Sequence, residues 1–429
     1  KRKYHSCIIT CYSFDFIFFE QRVLPKLRQA GITNINIYVD ASQFEKQINS
    51  FIGSEMLDYK AGYSITPIKM TGAFHPKVLL AVGKTKGFLA VGSGNLTSSG
   101  LSSNEEIWGS FYITETDKTT EPFFKEVTTY LKKLESFVFG TNLLKLNWIK
   151  ENSNWFADVL ENDNNTKKIV TKDEVFQMLF TYQEQSIYKS LIDKLPKKPK
   201  SIKILSPYYN TNGAFIDKII QDIQPQEIHC IVDPLYGSIP HKNENKNKIE
   251  FSDWNNLKRS EKYSTNRLHA KAIQFEYETE TYFLFGSANA TNEAFGVNSS
   301  SSINAEVSIL AHNNKPKDYF NELGINFPKK GNYSIEEYDY KSHIESNEND
   351  RLNYPVFINN VEIDGNEITL YLENKVDNSV IINVEDANGL NIFSQNLDSL
   401  DKKSSINIES NILIKPFRLA IFSNELRLS

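Results

Sequence analysis

The chain has 429 residues, of which 40% are hydrophobic, and a formal net charge of −5 at pH 7. This composition is typical of a globular protein with a large core; it excludes a disordered scaffold and argues against a surface covered with nucleic-acid-binding cations. The sequence has no apolar run of ~18 residues and no secretory signal at its start, and its 3 cysteines show no ligand-type clustering. We therefore expect a cytoplasmic protein without membrane segment, disulfide framework or zinc site.

Two stretches of the chain show the same order of predicted elements. Each has a buried strand, a helix and a second strand, followed by two strands joined by a turn. In the first stretch these elements are residues 7–12, 19–30, 35–40, 77–82 and 87–92; in the second they are residues 202–209, 214–223, 227–233, 271–277 and 282–285. Strand, helix and strand in succession predict βαβ units, so we expect a largely parallel sheet in each stretch.

The connecting regions suggest where the chain divides. Residues 151–168 are polar, and a helix-rich stretch is predicted for residues 174–195. After a second polar region at 341–353, short alternating segments up to residue 422, with turns at Asp364–Gly365 and Asn388–Gly389, are typical of a small β-sandwich. We therefore predict an α/β fold of two αβα halves, residues 1–150 and 151–340, followed by an all-β accessory domain at 350–429.

A short motif occurs twice, at a fixed offset of 194 residues. The first copy is His-Pro-Lys at 75–77 and Gly-Ser-Gly-Asn-Leu-Thr at 92–97; the second is His-Ala-Lys at 269–271 and Gly-Ser-Ala-Asn-Ala-Thr at 286–291. Each copy continues to an Asn-x-Glu sequence that ends at Glu106 or Glu306. Six identities at one offset indicate a duplicated unit whose shared residues serve a common purpose.

The repeated residue types suit the chemistry of a phosphate group. A His and a Lys two positions apart on a strand project from the same face, and an Asn after the neighbouring strand adds an amide donor. Two such sets facing one phosphorus would allow one His to attack and the other to protonate the leaving oxygen, while Lys and Asn stabilise the charge. Nothing in the chain resembles a carboxylate cage for Mg²⁺, so we expect no metal and no other cofactor.

The double motif, H-x-K followed by G-S-x-N, resembles that of the phospholipase D superfamily over residues 1–340. The resemblance implies two halves related by a pseudo-twofold axis, one shared site and a transient phosphohistidine, with His75 favoured as the nucleophile. It implies the following catalytic set: His75, Lys77, Asn95, His269, Lys271 and Asn289.

The sequence departs from the common family pattern at the acidic residue expected five positions after the Lys. Val82 and Glu276 occupy those places. Glu106 and Glu306 match a downstream Glu that hydrogen-bonds the His in some family nucleases; the alternative is a carboxylate at a strand edge. For Ser93 and Ser287, two interpretations stay open, a cap of the turn or a donor to the phosphate.

The family fixes phosphodiester chemistry better than the substrate. The sequence at 92–101, GSGNLTSSGL, resembles nuclease-type members of bacterial restriction and phage-defence systems, so we expect a nuclease acting on DNA. The alternatives are a phospholipase or phosphatidyltransferase and an inactive phosphate-binding scaffold. Residues 241–271 hold 8 Lys and Arg against 4 Asp and Glu. This basic stretch is either a solvated loop or a region that contacts phosphate groups. The candidate substrate-binding residues in it are Lys258, Arg259, Lys262 and Arg267.

The end of the chain is acidic. Residues 341–429 hold 8 Lys and Arg against 14 Asp and Glu, whereas residues 1–340 hold 40 against 39. Because that charge would repel a nucleic-acid backbone, we predict that the accessory domain binds a protein partner. The competing interpretation is that it covers an apolar face of the second half.

Overall fold

The computed structural model describes residues 3–50, 62–161, 167–245, 248–257, 267–297, 303–335, 356–386, 390–408, 417–423 and 426–428. The fold is mixed α/β. Three of the candidate substrate-binding residues (Lys258, Arg259 and Lys262), the polar region at 341–353 and the turn at Asn388–Gly389 lie outside the described residues. Within these ranges, no helix has the length and apolar character needed to cross a membrane.

The first half, residues 3–161, is built on a six-stranded sheet in the order β3-β2-β1-β4-β5-β7. Its strands are β1 (Ser6–Cys11), β2 (Asn34–Asp40), β3 (Ser64–Ile68), β4 (Val78–Val82), β5 (Lys86–Gly92), the short β6 (Asn104–Glu105) and β7 (Trp108–Thr114). Its helices are α1 (Phe16–Phe18), α2 (Leu24–Ala30), α3 (Ala41–Ser50), α4 (Glu121–Lys133), α5 (Gly140–Glu151) and α6 (Asn154–Glu161), with π turns at Phe19–Val23 and Ser99–Ser103 and a 3-10 turn at Leu134–Phe137. The helix predicted for 19–30 therefore begins with a π turn.

The second half, residues 167–335, has an eight-stranded sheet in the order β12-β11-β10-β14-β15-β16-β9-β8. Its strands are β8 (Lys168–Val170), β9 (Glu174–Thr181), β10 (Ser201–Leu205), β11 (Glu227–Val232), β12 (Glu250–Asp253), the short β13 (Arg267–Leu268), β14 (Ala272–Glu276), β15 (Thr281–Gly286) and β16 (Glu306–Asn313). Its helices are α7 (Ile187–Ile192), α8 (Ala214–Ile223), α9 (Asn292–Phe295) and α10 (Tyr319–Glu322), with a 3-10 turn at Trp254–Asn256.

The prediction of largely parallel sheets was wrong, because both sheets are mixed. In the first half β1 pairs with β2 and β2 with β3 in parallel, whereas β4, β5 and β7 join antiparallel. The second half follows the same rule. A strand that returns through a helix runs parallel to its predecessor, but β4 and β5 are joined by a short turn and must reverse direction.

The helix-rich stretch predicted for residues 174–195 was also wrong over its first part. Residues Glu174–Thr181 form strand β9, and only Ile187–Ile192 is an α-helix. All eight residues of β9 pair with β16, from Glu306 opposite Thr181 to Asn313 opposite Glu174. This pairing joins positions far apart in the chain, so local sequence patterns do not reveal it.

The two sheets pack against each other through their inner faces and thereby place the two motif copies together. Leu89 and Val91 of β5 share one buried core with Val307 and Ile309 of β16. Two short parallel contacts cross between the halves: β6 pairs with β13, and Phe74 bridges Ala305. Each contact lies just before a motif His, so the packing of the halves fixes both histidines.

The residues from 356 onward, called the tail here, form strands in two small sheets. Their strands are β17 (Ile358–Asp364), β18 (Glu367–Leu372), β19 (Val380–Asp386), β20 (Asn391–Leu397), β21 (Lys403–Asn407), β22 (Phe417–Ser423) and β23 (Leu426–Arg427). The turn predicted at Asp364–Gly365 is confirmed by the pairing of β17 with β18 and by the φ of +59° at Gly365.

The tail contacts the first half, whereas the competing sequence interpretation placed it on the second. Glu362 accepts a hydrogen bond from the Thr141 amide in the first turn of α5. The rings of Phe139 and Tyr371 stack with their centroids 5.5 Å apart, and Lys69 Nζ lies 3.0 Å from Glu373 Oε2.

Candidate active site

Each motif His and Lys lies at the start of a central strand, next to the other half. His75 and Lys77 precede β4, where the Lys77 ammonium donates to the His75 carbonyl over 2.7 Å. Lys271 donates to the His269 carbonyl in the same way. Lys77 and Lys271 are 0% and 1% exposed, so both amino groups lie inside the protein, away from bulk water.

Each half contributes a glutamate that contacts the motif histidine of the other half. His75 Nδ1 lies 2.9 Å from Glu306 Oε2 of the second half, and His269 Nδ1 lies 2.7 Å from Glu106 Oε1 of the first half. Backbone bonds support both pairs, since the His75 amide donates to the Ala305 carbonyl and the His269 amide to that of Glu105. Among the described residues neither Nε2 has a hydrogen-bond partner, so each ring has one nitrogen oriented and one free for chemistry.

The motif serines support the carboxylates. Ser93 Oγ accepts a hydrogen bond from the Ile107 amide over 3.0 Å and donates to Glu106. Ser287 repeats this with the Val307 amide and Glu306. Because a hydroxyl has one proton, a serine that donates to Glu has none left for a phosphate. The structure thus favours a supporting position for both serines.

The two motif asparagines differ in their contacts. Asn95 Oδ1 accepts from the amides of Tyr12 and Ser13, at 3.2 and 3.4 Å, which orients the amide group of the side chain. Asn289 Oδ1 is buried without a partner in the described protein. The side-chain donor of Asn95 is therefore held in place by the first half, whereas Asn289 has an acceptor still to be satisfied.

Burial makes positive charge costly in this site. It lowers the pKa of His75 well below the usual value, and the Lys77 and Lys271 cations act in the same direction. Burial and Lys271 lower the pKa of His269 to about 4, although the bond with Glu106 opposes them. Burial also lowers the pKa of Lys271 to about 8. A bound anion would relieve this cost, so the site favours a negatively charged ligand.

The two carboxylates titrate differently. Burial raises the pKa of Glu306, which is 0% exposed, against the opposing effect of Lys77. Burial acts in the same direction on Glu106, but the hydrogen bond from His269 and the nearby Lys271 outweigh it and leave the pKa of Glu106 lowered. Glu106 is thus the carboxylate that carries its charge more readily.

Two further residues contact or flank the site. Tyr12 meets the His75 ring edge to face at 5.1 Å and lies under Lys77 Nζ at 5.8 Å, with its hydroxyl bonded to Gln43. Sequence reasoning missed Tyr12 because the repeat carries no second copy of it. Arg267, the described member of the candidate substrate-binding group, donates to the Tyr208 hydroxyl and lies over the Tyr236 ring at 5.3 Å.

The positions of the missing family acid lie away from the histidines. Val82 is buried in the first core, and Glu276 forms an ion pair with Lys203 at 2.6 Å. Over the described ranges, no group of three or more His, Cys, Asp or Glu side chains is placed to hold a metal ion.

No family model and no curated protein sequence matches the chain. Among solved structures, yeast tyrosyl-DNA phosphodiesterase is 13% identical, with 72% of this chain and 84% of that chain covered and a TM-score of 0.44. Polyphosphate kinase from Porphyromonas gingivalis is 10% identical over 72% of this chain and 43% of its own, with a TM-score of 0.38. NucT from Helicobacter pylori is 15% identical over 32% of this chain and 85% of its own, with a TM-score of 0.23.

Proposed function

We propose that this phospholipase D-like protein is a metal-independent phosphodiesterase, and more specifically a nuclease that cleaves DNA. The observation that carries the proposal is the reciprocal pair of His–Glu contacts, His75 with Glu306 and His269 with Glu106. In each contact, a carboxylate of one half orients the imidazole of the other half and leaves the Nε2 of that imidazole free. Two oriented imidazoles beside two buried lysines suit the displacement of one phosphodiester oxygen by another nucleophile.

The reaction proceeds in two steps at the shared site. Before the first step His269 takes up a proton from solvent, because the charge of the bound phosphate offsets the cost of a buried imidazolium. In the first step, Nε2 of His75 attacks phosphorus, the bond from phosphorus to the leaving oxygen breaks, and that oxygen takes the proton from Nε2 of His269. In the second, His269 removes a proton from water, the resulting hydroxide attacks phosphorus, and the bond to His75 breaks. Lys77, Lys271, Asn95 and Asn289 stabilise the negative charge that develops on the phosphate oxygens. The choice of His75 as the nucleophile rests on the resemblance to the phospholipase D superfamily.

The remaining parts of the proposal rest on sequence. We assign residues 1–150 and 151–340 to two halves related by pseudo-twofold symmetry, and residues 350–429 to a sandwich-like accessory domain that binds a protein partner. Arg267 contacts the substrate strand. The resemblance at 92–101 supports a role in bacterial restriction or phage defence, in the cytoplasm.

The test compares substrates under one condition. The purified protein is incubated with single- and double-stranded DNA, RNA and a phospholipid vesicle, each with and without excess EDTA. We expect DNA to be cut at the same rate with the chelator. Faster turnover of lipid would replace the nuclease by a phospholipase, and complete loss in EDTA with rescue by Mg²⁺ would overturn the metal-independent mechanism. No turnover of any substrate would favour an inactive phosphate-binding scaffold.

A further inference from the structure

An exposed tryptophan lies directly against the first copy of the Gly-Ser-x-Asn loop. A methyl group added at Gly92 would lie 2.5 Å from Trp108 Cδ2, and one added at Gly94 would lie 2.9 Å from Trp108 Cζ2 and 2.5 Å from the Gly100 carbonyl oxygen. The indole therefore packs along the backbone on either side of Ser93. The side chain is also partly open to solvent, since 39% of Trp108 is exposed. A large aromatic surface is thus presented beside the residue that precedes Asn95.

A second exposed aromatic continues this surface along β7. Trp108, Ser110 and Tyr112 point to one side of the strand, and Tyr112 is 60% exposed. The Phe88 ring of β5 supports Tyr112 at 5.0 Å. Trp108 and Tyr112 are four positions apart on the strand, which corresponds to a distance of about 14 Å along it. We call the surface formed by Trp108, Ser110 and Tyr112 the β7 strip.

The matching row of the second half is buried at Ser308 and Leu310, and only His312, at the position of Tyr112, is partly exposed. The register places Gly92 opposite Trp108, and Gly286 opposite Ser308. Farther along, Leu284 and Leu310 are buried in one core with Ile187 and Leu191 of α7. The first half has its aromatics in the corresponding row but leaves them in solvent. A buried aromatic side chain stabilises a fold, so an aromatic side chain that stays exposed gives up that stabilisation. Exposed aromatics next to a candidate site therefore indicate a surface that binds a ligand.

We infer that the β7 strip is a stacking platform for unpaired bases of a single-stranded nucleic acid whose phosphate enters the site between His75 and His269. Base stacking on exposed aromatic rings is tolerant of sequence and is a common mode of single-strand binding. The strip begins at the Gly-Ser-x-Asn loop that leads to Asn95, and Lys77 and Lys271 are buried at the site that the backbone of the same ligand would enter. The inference rests on the proposed function and deepens it, because it selects single strands over duplex DNA.

The test measures how much of the affinity depends on bases. Fluorescently labelled oligothymidylate and a strand of equal length with several abasic positions are bound to His75→Ala protein, so that the strand is not consumed. We expect Trp108→Leu to weaken binding of the base-containing strand by about tenfold and to reduce the difference between the two strands. Trp108→Tyr should restore most of the loss, and Tyr112→Ser should show a smaller loss of the same kind.

The matched control is Trp148→Leu, since Trp148 is also 39% exposed but lies on α5. Equal behaviour of the Trp108 and Trp148 variants, with the Tyr112 variant also unchanged, would overturn the inference. A change in sedimentation of the Trp108 variant without a change in oligonucleotide affinity would also overturn it, and would assign the strip to contact between copies of the chain. If the base-dependent loss appears but the wild type cleaves no phosphodiester, the platform stands and the proposed nuclease fails.

Discussion

The two halves carry the same motif on the same strand order, but their surroundings differ. In the second half, Leu284 and Leu310 are buried in one core with residues of α7; in the first, the corresponding row carries Trp108 and Tyr112, which are 39% and 60% exposed. The loops reflect this difference, because the first has Gly94 against the Trp108 indole, whereas the second has Ala288 at that place. The two halves therefore differ in how much of this row is exposed beside the motif.

The carboxylates differ in the same way between the halves. Glu306 is fully buried and its pKa is raised by that burial, whereas the pKa of Glu106 is lowered because His269 and Lys271 outweigh its burial. Each half thus supplies its partner with a carboxylate of different charge preference. A duplicated motif has kept its residue types while the two imidazoles have acquired unequal environments.

The largest expected effect tests whether the halves share one site. His75→Ala and His269→Ala should each lower turnover by roughly 10³-fold or more, and the double variant should be hardly worse, because residues that act in one reaction are strongly non-additive. Single-turnover rates on a labelled oligonucleotide measure this. Two residual activities that add up to that of the wild type would show two independent sites instead.

The next prediction tests the difference in pKa between Glu106 and Glu306. Glu106→Gln should lower kcat/KM at pH 7 by about 10²-fold, because it removes an ionised partner of His269. Glu306→Gln should cost less, since a carboxyl group with a raised pKa is already closer to neutral. Steady-state kinetics of both variants provide the comparison, with near-ultraviolet circular dichroism as the check on folding. Equal losses would contradict the difference in charge.

A smaller effect should appear at alkaline pH. Burial lowers the pKa of Lys271 to about 8, so this side chain is charged below that pH and neutral above it. We expect kcat/KM to fall by about tenfold for each pH unit beyond the pKa, since the profile reports groups of the free enzyme. Lys271→Arg keeps its charge and should move the decline to higher pH. A decline that stays in place in this variant would belong to another group.

The smallest expected effect is on stability and concerns the tail, which contacts the first half. Glu362→Ala removes the carboxylate that accepts from the Thr141 amide, and should lower the free energy of unfolding by about 1 kcal/mol, the usual cost of a lost helix cap. Thermal unfolding measures the loss, and Glu367→Ala on the same hairpin serves as the control because Glu367 is exposed. An unchanged midpoint for both variants would show that this contact contributes little.

The sequence by itself predicted the candidate residues of the site and the chemistry that they suit. The fixed offset of 194 residues identified both His–Lys pairs and both Asn residues, and the Asn-x-Glu sequence that follows each copy identified the two Glu residues. The order of strands and helices was also largely predictable, since alternation and apolar runs are local signals.

Only the tertiary structure decided how these residues are combined. It assigned Glu306 to His75 and Glu106 to His269, made β9 a strand by pairing it with β16, and made β4 and β5 antiparallel. It also left Trp108 partly exposed while Leu310 was buried in the core of the second half. Each of these outcomes joins positions far apart in the chain or depends on what another segment covers. Local propensity carries no information on such contacts, because their free energy comes from packing and pairing that exist only once the two halves have met.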